Sequence, residues 1–154
     1  MKIISLYEFI CFNKDHLSVI KTKYLALLNQ LTVTPELADD LFLENVEKIH
    51  KMGVVYIGIL GQLQDACFEI ICSGTIIIEP KLIRNGKCVG HIEDIVIDAN
   101  HRKKGVSQIL LDTLKLFGKE QNCYKFILDC DNDVAPVYEK NNFIQKGVQM
   151  ALYY

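Results

Sequence analysis

Two adjacent carboxylates interrupt an otherwise apolar segment of the chain, where Glu93 and Asp94 lie within residues 91–98. Carboxylates can accept a proton from an attacking amine, so the pair is a candidate catalytic or substrate site. Adjacent residues of a regular strand point to opposite faces of a sheet. Both acids can therefore serve one substrate only if a β-bulge turns one of them, and a bulge would also open a gap beside the strand. The alternative is one buried, paired acid and one exposed acid.

A basic turn follows this segment and leads into an amphipathic helix. It comprises His101-Arg102-Lys103-Lys104-Gly105-Val106-Ser107. The start of a helix carries partial positive charge on unpaired backbone N–H groups, which disfavours cations and favours an anion. Because Gly105 permits close backbone approach, the basic turn is a candidate cradle for a pyrophosphate. A solvated basic turn is the alternative.

A tyrosine and six cysteines complete the set of reactive side chains. Tyr138 follows the segment Leu128-Asp129-Cys130 by a few residues, and a phenol with a pKa of about 10 can donate to a departing thiolate with a pKa of about 8.5. A core aromatic is the alternative. The cysteines form no C-x-x-C pair and lie at no zinc-ligand spacing, so we expect reduced thiols and no metal.

Hydrophobic periodicity predicts the elements that position these groups. The order is β-α-α-β-β-β-α-β-α-β, an α+β chain with a mixed sheet, in which short connections imply antiparallel neighbours. The predicted strands are Lys2–Phe9, Val54–Leu60, Ala66–Ile78, Cys88–Ile97, Tyr124–Cys130 and Phe143–Tyr154, with a turn at 61–65. The predicted helices run from about 13 to 29, from Thr34 as N-cap to Met52, from the basic turn to about 118–122, and over Ala135–Asn141.

Length, composition and net charge disfavour several classes of protein for this chain. The chain has 154 residues, 50% of them hydrophobic, and a formal net charge of −2. One domain over residues 1–154 is expected, without electrostatic binding of nucleic acid or of an anionic membrane. The apolar start is interrupted by Glu8 and lacks a cleavage pattern, so we expect no signal peptide and a soluble cytoplasmic protein.

Taken with this order of elements, residues 102–107 resemble the GNAT acetyltransferase superfamily, whose Arg/Gln-x-x-Gly-x-Gly/Ala loop binds the pyrophosphate of coenzyme A. Ser107 departs from that loop by a small change. The resemblance implies the GNAT acyltransferase fold, a central mixed, mostly antiparallel sheet flanked by helices. It also implies a bulged and splayed strand at residues 88–98, with acetyl-CoA as cosubstrate filling the gap.

Several segments resemble one family more closely, the glucosamine 6-phosphate N-acetyltransferases. These are Leu28-Asn29-Gln30-Leu31-Thr32, Gly90-His91-Ile92-Glu93-Asp94-Ile95-Val96, Cys123 to Cys130, Tyr138-Glu139-Lys140 and Gly147 to Ala151. The resemblance covers nearly the whole chain. It implies acetylation of the sugar's 2-amino group in UDP-N-acetylglucosamine biosynthesis, by direct attack in a ternary complex. The alternatives are acetylation of another amine and a non-catalytic acetyl-CoA-binding module.

The resemblance also implies roles for individual residues. Glu93, Tyr138 and Asp129 would be catalytic, with Glu93 accepting the amine proton; Thr32, Lys81, Glu93, Asp94, Ile95 and Asp129 would bind the amino sugar, with Thr32 and Lys81 near its phosphate. Acetyl-CoA would lie against Ile95, Val96, Ile97, Arg102, Lys103, Lys104, Gly105, Val106, Ser107, Tyr138 and Lys140. A homodimer would form through the last strand. The chain departs from the family at Val134, where Asn is usual, with Asn132 two residues earlier, and at its non-basic end, Leu152-Tyr153-Tyr154.

Overall fold

A computed structural model describes residues 1–61 and 67–154. Five strands form one sheet in the order β1-β2-β3-β4-β5. The pairs are antiparallel except for the last, β4–β5, which is parallel. This confirms the predicted mixed, mostly antiparallel sheet. The strands are β1 Lys2–Ser5, β2 Gly53–Gly61, β3 Phe68–Pro80, β4 Cys88–Ile97 and β5 Cys123–Ile127.

Helices cover both faces of this sheet. They are α1 Leu6–Phe12, α2 Leu17–Leu28, α3 Asp39–Met52, α4 Val106–Glu120 and α5 Ala135–Glu139. One apolar cluster joins α1, α2 and α3 to the sheet and includes Ile20, Phe42 and Ile57. A second cluster forms under α4, where Leu110 and Leu114 are fully buried. Because β4 and β5 are parallel, α4 serves as the crossover between them.

The predicted strand over Lys2–Phe9 is wrong after Ser5, because a helix begins there. The Ser5 side chain accepts a hydrogen bond from the backbone N–H of Glu8 and caps α1. Leu6, Phe9 and Ile10 are buried at helical spacing. The sequence Ser-x-x-Glu before an apolar run is a capping-box signal, and here it outweighs the strand-like composition.

The predicted start of the second long helix is also wrong. Thr34 does not cap it, since α3 begins five residues later at Asp39. The Thr34 hydroxyl instead donates to the backbone oxygen of Leu25 at 3.2 Å, and its backbone N–H donates to Asn29 Oδ1 at 3.2 Å. Thr34 therefore holds the chain against α2.

The largest correction concerns the end of the chain. Residues 143–154, called the tail below, form neither helix nor strand, so the predicted strand over Phe143–Tyr154 is wrong. A strand requires a neighbour to pair with, and the described part of this chain supplies none for the tail. The predicted helix at the preceding segment is present but ends at Glu139.

The predicted turn at residues 62–65 and the predicted strand start at Ala66 lie outside the described residues. Among residues 1–61 and 67–154, no helix is long and apolar enough to cross a membrane. All six cysteines are free thiols.

Candidate active site

A β-bulge lies where the sequence requires one. Thr75 of β3 faces Glu93, and Ser73 faces Val96, so Gly74 alone faces both Asp94 and Ile95. Asp94 has a φ of 51°, in the left-handed region. A Cβ on Gly74 would lie 2.5 Å from Ile95 Cδ1, so a larger residue opposite the bulge would displace the Ile95 side chain. The predicted bulge in β4 is confirmed.

The register places Glu93 on the sheet face covered by α2, and the bulge leaves Asp94 within electrostatic reach of that helix. Ser73 and Thr75 share a face because they are two residues apart, and Glu93 lies opposite Thr75 on that face. The Ser73 hydroxyl donates to Tyr24 Oη of α2 at 3.3 Å. Burial raises the pKa of Tyr24 to about 12, and the charge on Asp94 adds to the rise. Asp94 therefore lies within electrostatic reach of Tyr24.

β4 and β5 stop pairing just before the bulge. Their pairing runs from Cys88 opposite Cys123 to His91 opposite Ile127, and residues 128–130 have left the strand, so the predicted strand end at Cys130 is wrong. A bulge bends its own strand and increases its twist, which is a physical reason for the pairing to stop. In the described part of the chain, residues 92–97 have no strand on the β5 side. The predicted splay is confirmed.

The electrostatics of Glu93 reflect three neighbours. Partial burial raises its pKa, and the charges of Asp129 and Asp94 raise it further, while His91 opposes them. Glu93 therefore retains a proton more readily than a free carboxylate does. Asp129, just past the end of β5, thus lies within electrostatic reach of the bulge.

The basic turn lies between the end of β4 and the start of α4. Gly105 precedes α4 with a φ of 78°, and a Cβ there would meet nothing within 4 Å. No side chain of the described residues caps the start of α4, and Arg102, Lys103 and Lys104 are exposed. Arg102 Nε donates to the backbone oxygen of Ile97 at 3.0 Å, which fixes the side chain at the end of β4. Uncapped N–H groups beside three cations suit a polyanion.

Comparison with known proteins agrees with this geometry. The profile of the acetyltransferase (GNAT) family matches residues 59–143. A Dictyostelium discoideum protein named glucosamine 6-phosphate N-acetyltransferase 1 is 40% identical over 131 residues, covering 84% of this chain and 82% of that protein.

The chain belongs to the GNAT acetyltransferase family. An Oryza sativa subsp. japonica protein, also named glucosamine 6-phosphate N-acetyltransferase 1, is 32% identical over 138 residues, covering 90% of this chain and 83% of that protein. The crystal structure of glucosamine-6-phosphate N-acetyltransferase from Arabidopsis thaliana superposes with a TM-score of 0.81 at 31% identity. That match covers 99% of this chain and 97% of the Arabidopsis chain.

Tyr138 of this GNAT chain lies on the α4 side of the splayed region. It is half-buried, packs edge-on against Phe143 with ring centroids 6.1 Å apart, and has a pKa raised by burial and then by Cys130. A raised pKa keeps the phenol protonated, as a proton donor must be. Burial and three nearby acids raise the pKa of the Cys130 thiol, so it is a poor nucleophile. Lys140 follows α5 and is exposed.

Lys81 has no direct contact with Glu93, Asp94 or Asp129. Its ammonium forms an ion pair with Glu79, and the second Glu79 oxygen lies 2.8 Å from His91 Nε2. His91 in turn lies two residues before Glu93 on β4. Lys81 thus reaches the edge of the acid site through two intermediate side chains, and its charge is already balanced by Glu79.

Thr32 lies on the last turn after α2, where its backbone N–H donates to the backbone oxygen of Leu28 at 3.1 Å. It is exposed. The same turn carries Gln30, whose side chain contacts the segment after β4. Thr32 is therefore placed near the end of β4, whereas Glu93 and Asp94 lie in its middle.

Sequence reasoning missed two contacts at the site. Tyr24 and Ser73 lie beneath the bulge, and Gln149 of the tail donates from Nε2 to Asp129 Oδ2 at 2.9 Å. The Tyr–Ser pair has no local sequence signal, since its members are 49 residues apart. The contact of Gln149 with Asp129 was missed because a regular strand was predicted over Phe143–Tyr154.

Metal ligation has no support in the described ranges. Among residues 1–61 and 67–154, no three His, Cys, Asp or Glu side chains gather in a way that could hold a metal ion.

Proposed function

We propose that the chain is a glucosamine 6-phosphate N-acetyltransferase, which transfers acetyl from acetyl-CoA to the 2-amino group of D-glucosamine 6-phosphate. The products are N-acetyl-D-glucosamine 6-phosphate and coenzyme A, a step of UDP-N-acetylglucosamine biosynthesis. The observation that carries the proposal is the β4 bulge beside the split from β5, with Asp94 and Asp129 both within electrostatic reach of Glu93. The similarity to proteins named glucosamine 6-phosphate N-acetyltransferase supports the choice of substrate.

The proposed chemistry is direct transfer in a ternary complex. The neutral amine attacks the thioester carbonyl, so that a C–N bond forms as the C–S bond breaks. Glu93 accepts the amine proton, directly or through water, which its raised pKa favours. Tyr138 donates a proton to the departing sulfur, and its raised pKa keeps it protonated until then. Asp94 and Asp129 hold the sugar, which keeps the amine oriented for attack.

The proposed cosubstrate site is the split between β4 and β5, together with the basic turn. Arg102, Lys103, Lys104, Gly105, Val106 and Ser107 would hold the pyrophosphate through backbone N–H groups and charge, and Lys140 would add charge nearby. Backbone groups of Ile95, Val96 and Ile97 would lie along the acetyl and pantetheine part. The uncapped start of α4 and the open side of β4 support this assignment.

The sugar phosphate is proposed to lie toward Thr32 or toward Lys81, which lie beside opposite ends of β4 within one chain. Release of the Lys81 ammonium from Glu79 would accompany binding at Lys81, since one cation serves both anions. Lys146 is the one basic residue of the tail, so a charged contact to the phosphate from residues 143–154 would come from Lys146.

A homodimer is proposed for the assembly. The tail supports it, since Val148 and Met150 are 91% and 92% exposed and Leu152, Tyr153 and Tyr154 are exposed beside them. An apolar stretch of this kind is typical of an interaction surface. Residues 1–154 would act as one GNAT domain, and the six free thiols suit the reducing cytoplasm.

Thiol release tests the function. The purified chain is mixed with acetyl-CoA and glucosamine 6-phosphate, unphosphorylated glucosamine, a polyamine or an N-terminal peptide amine, and free coenzyme A is measured. We expect strong release with glucosamine 6-phosphate, weak release with glucosamine, and loss of release in Glu93→Gln. Faster release with a peptide or polyamine would assign another acceptor. A thermal shift with acetyl-CoA but no release with any amine would indicate a binding module.

A further inference from the structure

One glutamine ties the end of α2 to the segment between β4 and the basic turn. Gln30 Nε2 donates to Asp98 Oδ2 at 2.8 Å, and the backbone N–H of Ala99 donates to Gln30 Oε1 at 2.9 Å. Both ends of one amide are used, so the contact fixes orientation as well as distance. It joins parts of the chain 68 and 69 residues apart.

Asp98 connects this contact to the basic turn. Its Oδ1 accepts from the backbone N–H of Asn100 at 3.0 Å and lies 3.0 Å from His101 Nδ1. The hydrogen bond from Gln30 and that with His101 hold the pKa of Asp98 below its ordinary value, so the carboxylate stays charged. Arg102 follows at once and is fixed to Ile97. The path of residues 98–102, and hence the start of the cradle, depends on Asp98.

The turn after α2 that bears Gln30 also bears Thr32, which is expected to bind the amino sugar. The backbone N–H of Gln30 donates to Leu27 at 3.0 Å, and that of Thr32 donates to Leu28 at 3.1 Å, so both residues belong to one tight turn. A shift of the basic turn that pulls on Gln30 would therefore move Thr32 with it.

We propose that Gln30 is a positioning residue that holds the basic turn in its acetyl-CoA-binding arrangement and couples it to the turn that bears Thr32. The first half requires only that residues 102–107 bind the cosubstrate. The coupling half rests on the proposed function, because it requires the amino sugar to bind at Thr32.

The substitution Gln30→Glu tests the contact with little change of shape. It sets a second carboxylate against Asp98 and keeps an acceptor for the Ala99 N–H. We expect the Kd for coenzyme A and the KM for acetyl-CoA to rise about tenfold, with kcat little changed, since a hydrogen bond to a charged group is lost. Gln30→Ala removes both contacts without adding charge and should shift the same constants in the same direction.

Rescue separates this contact from a general loss of structure. In Gln30→Glu/Asp98→Asn the partners are exchanged, because the new Asn amide can donate to the new Glu, and we expect coenzyme A affinity to return to within about threefold of the parent. Gln121→Glu is the matched control, an exposed glutamine at the far end of α4, and should leave the Kd unchanged. Equal Kd values for Gln30→Glu and Gln121→Glu, or no rescue in a double variant with parental Tm, would overturn the positioning role.

The coupling half has its own readout. Coenzyme A is titrated by calorimetry with and without N-acetylglucosamine 6-phosphate, and the ratio of the two Kd values measures the coupling. We expect tighter binding in the presence of the sugar for the parent chain and a ratio nearer to one for Gln30→Glu. An identical ratio in both, or no coupling in the parent, overturns this half. If glucosamine 6-phosphate supports no thiol release, the function fails, while titrations with coenzyme A alone still test Gln30.

Discussion

A base that acts near neutral pH must take up a proton more readily than a free carboxylate, and the surroundings of Glu93 produce that property. Partial burial contributes most, followed by Asp129 and Asp94, against an opposing effect of His91. Because the pKa is raised, Glu93 becomes protonated at a higher pH than an ordinary glutamate as the solution is acidified. The base is lost below that raised pKa and is available above it.

The acid limb of the pH profile should therefore respond to Asp129. We expect Asp129→Asn to move the acid limb of kcat/KM to lower pH, because removal of a like charge lowers the pKa of Glu93. Glu93→Gln should reduce kcat/KM by about 100-fold or more. The profile is measured across the acid and neutral range with one substrate, so protonation of the substrate amine affects every variant alike.

Asp131→Asn serves as the control for this experiment, because Asp131 is an exposed acid of the same loop that does not contribute to the shifted pKa of Glu93. Its acid limb should coincide with that of the parent. If Asp129→Asn also coincides with the parent, Asp129 does not act on the base.

The sequence predicted those site residues that belong to a pattern of neighbouring residues. It missed those whose contacts are with residues far away in the chain. Alternation along a strand was enough to predict a bulge at Glu93 and Asp94 on the condition that both acids serve one substrate. Tyr24, Ser73 and Gln30 act through contacts that span 49 to 69 residues, for which no spacing rule exists. Lys81 and Thr32 came from resemblance, and they remain predictions as phosphate ligands.

At the level of elements, the errors arose where two local signals competed. β-branched and aromatic residues at the start favoured a strand, but the Ser5–Glu8 cap and the helical spacing of Leu6, Phe9 and Ile10 determined the outcome. Thr34 and the following proline favoured a helix start, but contacts with α2 engaged Thr34 instead. The bounds of β4 were predicted correctly, because its apolar run is delimited on both sides by polar residues.

Substitutions at Asp94 can separate the backbone conformation of the bulge from the role of the Asp94 carboxylate. Asp94 occupies the left-handed region, which costs a non-glycine residue about 1 kcal/mol, and glycine accepts that conformation freely. We expect Asp94→Gly to leave the free energy of unfolding within about 1 kcal/mol of the parent while lowering kcat/KM for glucosamine 6-phosphate about tenfold or more. Denaturant unfolding and steady-state kinetics measure the two effects.

Asp94→Val provides the contrast, because a β-branched residue tolerates the left-handed region least. It should lose about 1 to 3 kcal/mol of stability as well as activity. Equal stability losses in Asp94→Gly and Asp94→Val would show that backbone conformation is not what the bulge demands of this position.

On the scale of the whole molecule, the tail is the feature that the rest of the fold leaves uncovered. It contacts the site through Phe143, which packs on Tyr138, and through Gln149, which donates to Asp129. Most of its other apolar side chains are exposed. Its alternating apolar residues favoured a strand, yet the described part of one chain offers no neighbour to pair with. A second copy of the chain would supply that neighbour, and the tail would then lie close to two sites.

Removal of residues 150–154 should convert the proposed dimer into a monomer, because the exposed apolar side chains there would form much of the contact, while Gln149 is kept. Light scattering after size exclusion measures the mass, and thiol release measures the activity, which we expect to fall. Phe12→Glu removes another highly exposed apolar side chain, far from the tail in sequence, and should leave a dimer. A truncated chain that stays dimeric, or a full chain that is monomeric, would contradict the assignment.

The pairing of the first two strands has a consequence for how the molecule assembles. β2, β3 and β4 follow one another along the chain, whereas Ser5 of β1 pairs with Tyr56 of β2 and closes a loop of about fifty residues. Contacts between consecutive segments form faster than contacts that close long loops. We expect the three central strands, with the bulge between them, to form early, and β1 to join the edge of the sheet only after α1, α2 and α3 have brought it there.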